Sequence, residues 1–201
     1  MNNLIIGISG VARSGKDTFA KILEEEINMS YAAFRHAYRR ALAHQLKSDV
    51  KEDFMNRFGI DSFTQDPIEK AVIRPFLVEY GKRFREETQG QHWTGKLQKE
   101  IKSKFKSSII IVTDIRYAVY EKDEYSWIRR QNGLLIHVSR YDKGIKDLIL
   151  PPNDDEAFND PILEALADYK VVWPTTESLD IRRLFVKDFI RRYDKRIKGI
   201  A

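Results

Sequence analysis

Near the start of the chain, residues 10–18 read G-V-A-R-S-G-K-D-T. They fit the spacing G-x-x-x-x-G-K, in which backbone N–H groups of a glycine-rich turn cradle phosphate oxygens and the lysine reaches the terminal phosphates. The next position normally carries a Ser or Thr whose hydroxyl ligates magnesium. Here it is Asp17, and Thr18 follows one step later. A carboxylate beside a triphosphate is repelled unless a cation lies between, and magnesium takes oxygen ligands while keeping several waters. Asp17 is therefore expected to hold the ion, directly or through water, with Thr18 assisting. The plainer reading is that an acid in a first helical turn only complements the helix dipole. On this basis Gly10, Arg13, Ser14, Gly15, Lys16, Asp17 and Thr18 form the ATP side of a site, with ATP as co-substrate and Mg2+ as cofactor.

A second set of residues suits a phosphorylated acceptor. A guanidinium fork binds phosphate with two parallel hydrogen bonds, and Arg74, Arg85 and Arg116 are the candidates. Trp93 is expected to stack on an acceptor base or to wall it off. Asp114 and Arg116 follow "SIIIVT", and open α/β sheets bind ligands at strand C-termini. Asp114 joins Asp17 and Thr18 as a candidate magnesium ligand, and Arg140 is placed to neutralise developing charge. Each has a structural alternative: solvated helix charges for Arg74 and Arg85, plain core for Trp93. Glu156 lies in a polar stretch at 140–161, with only its position in sequence to recommend it.

The elements that must position these groups follow from hydrophobic patterning. Residues 3–9, 108–114 and 134–139 are short apolar runs of the kind buried on both faces of a parallel sheet. "DYKVVW" offers a further strand, and "YAAF" at 31–34 a short second one. Helical spacing marks residues 16–27, a basic helix through "RHAYRRALAHQLK", a helix from Val50 to Phe58 ended by Gly59, and a long helix after Pro67 with a kink or break at Pro75. It also marks "HWTGKLQKEIKSKF", the segment before Asn132-Gly133, and a closing helix from Ser178. Residues 140–161 read as a polar, mobile loop. Strands alternating with helices imply a three-layer α/β/α fold on a parallel sheet of about five strands.

Composition narrows the classes. At 201 residues with 42% hydrophobic and 32% charged side chains, one globular domain is expected. The chain has no cysteine, which excludes disulfides and thiolate chemistry, and its four histidines lack metal-ligand spacing. No apolar run approaches bilayer length and no leader is apparent, so a cytoplasmic protein is expected. The net charge of +5 suits small phosphorylated substrates or weak nucleic-acid affinity.

Taken together, "SGVARSGKDT", "RPFLVEYGKRFREETQGQHW", "IIIVTDIRY" and "GLLIHVSR" resemble the bacteriophage-type deoxynucleoside monophosphate kinases. In that family an Asp-Thr pair commonly follows the loop lysine, and two strands end in Asp-x-Arg and Arg. The resemblance touches most of the first 140 residues. It implies a P-loop NMP-kinase-like fold with a mobile lid loop, ATP- and magnesium-dependent phosphoryl transfer to a deoxynucleoside monophosphate, and a place in deoxynucleotide biosynthesis (in the host cytoplasm if phage-encoded). One kinase domain over residues 1–201 is implied, with an acceptor-binding helical part at about 36–106 and a lid at about 140–161. Where the family often carries Thr-Glu after the helical glycine, this chain has Lys82 and Arg83. Two alternatives stay open: another small-molecule kinase, of the dephospho-coenzyme A or phosphomevalonate type, and a P-loop nucleic-acid-binding ATPase using the basic helices. Against the latter, those helices interleave apolar residues as packed helices do. Small-molecule nucleotides are the expected partners, with no membrane, nucleic acid disfavoured and a homodimer left open.

Overall fold

The computed structural model describes residues 2–142, 147–175 and 178–200. Along the chain the elements are β1 (Leu4–Ser9), α1 (Lys16–Ser30), β2 (Ala37–Ala41), α2 (Leu42–Phe58), α3 (Pro67–Glu87), α4 (Gln91–Lys104), β3 (Ile109–Ile115), α5 (Glu124–Arg130), β4 (Leu134–Asp142), β5 (Asp147–Leu148), α6 (Asp154–Leu166), β6 (Tyr169–Pro174), α7 (Leu179–Arg192) and α8 (Asp194–Lys198). Five strands pair in parallel in the order β2-β3-β1-β4-β6, and the short β5 lies antiparallel to the end of β4.

β1 is buried along its whole length, so its alternate side chains feed two cores. Leu4, Ile6 and Ile8 pack with Phe19, Leu23 and Ile27 of α1 and Phe189 of α7. Ile5, with Ile110 and Val112 of β3, packs against Leu97 and Ile101 of α4 and Ile128 of α5. Helices on both faces complete the three layers. A third, small cluster of Val50, Phe54 and Ile73 joins α2 to α3 away from the sheet. No helix among the described residues is long and apolar enough to cross a membrane.

Several expectations are corrected. Residues 31–34 form a turn, and the second strand is Ala37–Ala41, inside the stretch read as a basic helix. β2 is an edge strand, so only part of it needs apolar neighbours and charge on the rest is tolerated. Arg39 pairs with Glu24, and Arg40 pairs with Glu100 while stacking on Phe105. The helix expected to begin at Val50 starts at Leu42, although its stop at Gly59 (φ 65°) is as read. Pro75 does not end α3. Its ring frees the carbonyl four residues earlier, on Ala71, which is exposed and can turn to water.

The largest correction concerns residues 140–161. β4 runs on to Asp142, β5 pairs back, and α6 starts at Asp154 behind an Asn153 cap, with Pro161 inside it. Residues 143–146 of the expected lid loop lie outside the described residues. The acids that made the stretch look like a loop are the first turn of a helix, where they favour the dipole.

Candidate active site

The loop of residues 10–15 sits between β1 and α1 at the C-terminal edge of the sheet, and its shape needs both glycines. Gly10 has φ 134°, and a Cβ there would lie 2.2 Å from the carbonyl oxygen of Val138. Gly15 has φ 90°, and its Cβ would fall 2.6 Å from the ring of Trp173. That indole also donates Nε1–H to the Ser14 carbonyl at 2.9 Å. Trp173 on β6 thus buttresses the loop, a role that nothing local in "DYKVVW" announces. Arg13 is exposed in a left-handed conformation (φ 67°).

Three features of the loop fit an anion. Lys16 is only 7% exposed, yet it makes no hydrogen bond or ion pair with the described residues. The Ser14 hydroxyl is buried without a partner among the described residues. The N-terminus of α1 has no side-chain cap, so its N–H groups and dipole face outward. Asp17 is exposed in the first turn and Thr18 half-buried. Among the described residues no cluster of three or more acids or histidines would hold a metal alone. A magnesium ion at Asp17 and Thr18 would need phosphate oxygens and water to complete its shell, which is its usual habit.

β3 brings the second group alongside. Val112 pairs with Gly7 and Ile115 with Ser9, so β3 carries one residue more than β1 in this interval. The bulge leaves Asp114 left-handed at φ 67°, a conformation costing on the order of 1 kcal/mol for a residue other than glycine. Bulges re-aim side chains at strand ends. Arg116 follows, 45% exposed, with Nη2 3.8 Å from Asp114 Oδ1 and Nη1 3.3 Å from Glu156 Oε1. Burial opposes its charge, but Asp114, Glu156 and Glu124 outweigh that and hold its pKa above the ordinary value. From α2, Lys47 lies within electrostatic reach of Asp114; burial and then the like charge of Lys70 lower its pKa.

Beneath this edge two buried acids shape the segment after β3. Glu124 accepts the N–H groups of Arg116 and Tyr117, which fixes where Arg116 leaves the strand. Burial pushes its pKa up to about 8 against the pull of those two N–H groups. Asp123 is 0% exposed and accepts from Val119 N at 2.9 Å and Tyr120 N at 2.7 Å. It also takes the whole fork of Arg85, Nε at 2.9 Å and Nη2 at 2.8 Å.

Two acceptor assignments therefore change. Arg85 is engaged by Asp123 and sandwiched at 3.7 Å and 4.3 Å from the rings of Tyr117 and Tyr120, so its fork is not open to a phosphate. Trp93 is core: 7% exposed, it donates Nε1–H to Gly81 and packs with Tyr80, Phe84 and His92. Arg74 is exposed on α3. Arg140 does not open a loop; it lies within β4 opposite Trp173, its Nε buried without a partner among the described residues. Trp173, Glu124 and Lys47, ordinary residues of strands or helices, and Asp123, in the bend before α5, were not among the expected site residues. Glu156, noted only for its position, reaches the loop itself, its Oε2 accepting from Ala12 N at 2.9 Å. Surface hollows of about 500 and 540 Å3 are lined by residues such as Glu26, Tyr31 and Lys187 or Arg39, His44 and Glu100, none of them an expected site residue.

No protein-family model and no curated protein matches the chain. Solved structures similar to it include a thymidylate kinase from Ehrlichia chaffeensis (13% identity, TM-score 0.46, covering 95% of this chain and 99% of that one). A shikimate kinase from Bacteroides thetaiotaomicron is similar at 14% identity and TM-score 0.43, covering 95% and 98%. A sugar kinase from a Janibacter species is similar at 12% identity and TM-score 0.41, covering 100% and 99%. At identities of this order, what the chain acts on has to be read from its own residues.

Proposed function

We propose that this chain is a magnesium-dependent kinase that transfers a phosphoryl group from ATP to a deoxynucleoside monophosphate. The observation that carries the reading is Lys16, a mostly buried residue of a glycine-formed loop that makes no hydrogen bond or ion pair with the described residues, with Asp114 and Arg116 presented by the neighbouring strand. Phosphoryl transfer asks for positioning and charge neutralisation more than for covalent chemistry. Lys16, the Ser14 hydroxyl and the loop N–H groups hold the ATP phosphates. Asp17 and Thr18 hold the magnesium ion, with Asp114 orienting it or its waters. Arg116 grips the acceptor phosphate and also meets the ATP phosphates beside it, and Arg140 supplies further positive charge. The chain acts as one kinase domain, with α2–α4 on the acceptor side and the segment around α6 as the lid.

A second reading is favoured by one specific finding. With Arg85 and Trp93 committed to structure, nothing in the described geometry reads a nucleobase. A kinase for another phosphorylated acceptor, of the dephospho-coenzyme A or phosphomevalonate type, uses the same loop and the same Arg116. A coupled ADP-release screen over the four dNMPs, the NMPs and those two acceptors, with and without magnesium, separates them. Turnover on at least one dNMP is expected. Turnover on dephospho-coenzyme A or phosphomevalonate alone replaces the acceptor, and ADP release with none removes the kinase assignment.

A further inference from the structure

The carboxylate of Glu156 stands where a ligand anion would stand. Its Oε2 accepts the Ala12 N–H at 2.9 Å and its Oε1 meets Arg116 Nη1 at 3.3 Å, so one side chain ties the phosphate loop to the strand-end arginine. It is only 10% exposed, although it sits in the first turn of α6. A local role was open to it. Asn153-x-x-Glu156 has capping-box spacing, in which the second side chain returns to the N–H of the first residue. Half of that box forms, since Asn153 Oδ1 accepts the Glu156 N–H at 2.9 Å. The Glu156 carboxylate instead crosses 144 positions of sequence to reach the loop.

The rest of α6 supports the same docking. Asp155 accepts the hydroxyl of Tyr117 at 2.7 Å, and Asp160 lies 3.0 Å from His137 Nε2 on β4. The loop also keeps the buried, unpartnered Ser14 hydroxyl, close beside Gly10.

We propose that the Ala12 N–H and the Arg116 guanidinium form an anion subsite, that Glu156 is its internal occupant, and that a phosphate group of the bound ligand displaces it. This rests on the kinase reading above and adds how access to that site is controlled. Carboxylate and phosphate offer the same acceptor chemistry, but phosphate brings more charge and a third oxygen, so it replaces Glu156 without leaving Ala12 or Arg116 unpaired. Once displaced, Glu156 no longer pins the first turn of α6, and occupancy of the subsite is transmitted to the helix covering it. A ligand that must displace an internal group binds with an affinity reduced by the fraction of molecules in which that group has already left.

The test is calorimetric titration of the full chain with MgATP and, separately, with inorganic tripolyphosphate, comparing wild type with Glu156→Ala and Glu156→Gln. Tripolyphosphate isolates the phosphate contribution from any effect of base or ribose. The expected result is a Kd lowered about threefold to tenfold in Glu156→Ala for both probes, with a smaller gain in Glu156→Gln, which keeps an acceptor for Ala12 but loses the charge. Wild-type binding of MgATP with no gain in either variant, or with weaker binding, overturns the internal-occupant proposal and leaves the kinase reading standing. Binding of neither probe by any of the three proteins overturns both.

Discussion

The glycine-rich loop after β1 and the α2–α3 arm are built to different standards of rigidity. The loop is wedged between the β1 backbone, the Val138 carbonyl and the Trp173 ring, so that a single methyl group at Gly10 or Gly15 would collide with fixed atoms. The arm closes over a cluster of only three buried residues, Val50, Phe54 and Ile73, and leaves Ile68, Val72 and Phe76 exposed along α3. Few buried contacts mean a low cost of local opening. On the proposed function, the loop gains from dipoles fixed before the ligand arrives, whereas the arm, as the acceptor side, must admit and release its ligand. Between them runs the segment after β3, clamped by Asp123 and Glu124, and it is there that the contrast can be broken or sharpened.

The largest expected effect is on stability, at Arg85. Removing one partner of a buried pair strands the other charge, a loss of about 3–5 kcal/mol. Arg85→Ala should lower unfolding free energy by that order in urea denaturation, since Asp123 is fully buried. If the variant keeps its stability and instead raises the KM of the acceptor, Arg85 leaves Asp123 to bind substrate, and the structural assignment is wrong.

Next comes Lys16→Met, which should reverse the pattern. Loss of one electrostatic stabiliser typically lowers kcat by a factor of about 100 or more. Lys16 makes no hydrogen bond or ion pair with the described residues, so the denaturation midpoint should stay within error of wild type. A large midpoint shift would show that the loop depends on Lys16 for its shape and is less preformed than its packing indicates.

The smallest effect is a change of slope. The folded pKa of Glu124 is about 8 against an ordinary 4.5, so between those values the folded chain holds a proton that the unfolded chain has released. The stability this contributes is complete below about pH 4.5 and is lost as pH rises through 8. Glu124→Gln, which still offers an acceptor to the Arg116 and Tyr117 N–H groups, should remove that decline and flatten stability against pH over this window. Asp123 and Arg116, the charged groups that act on it, are unchanged. Equal slopes in the two proteins would mean that Glu124 stays ionised and that Arg116 is held by a full charge.

Much of the frame was readable along the chain. β1, β3 and β4 appear as isolated apolar runs because a strand covered on both faces needs no polar side. The loop appears as a motif because glycine spacing and backbone N–H geometry are local. Gly59 and Asn132 ended their helices as read, each at a positive φ. Misreadings gathered where local pattern and tertiary setting pull apart: the edge strand β2, whose arginines are held by Glu24 and Glu100, and α6, whose acids read as loop.

The sequence by itself determined a parallel α/β/α frame, a G-x-x-x-x-G-K loop at the end of its first strand, and Asp114 and Arg116 at the end of a neighbouring one. Only the tertiary structure decided which charges are spoken for. Arg85 meets Asp123 across 38 positions, Trp173 meets Ser14 across 159, and Glu156 meets Ala12 across 144. A side chain announces its charge and its period, but whether a guanidinium is open to a ligand or closed on a carboxylate depends on which partner the fold brings within about 3 Å, and at such separations no local spacing encodes that.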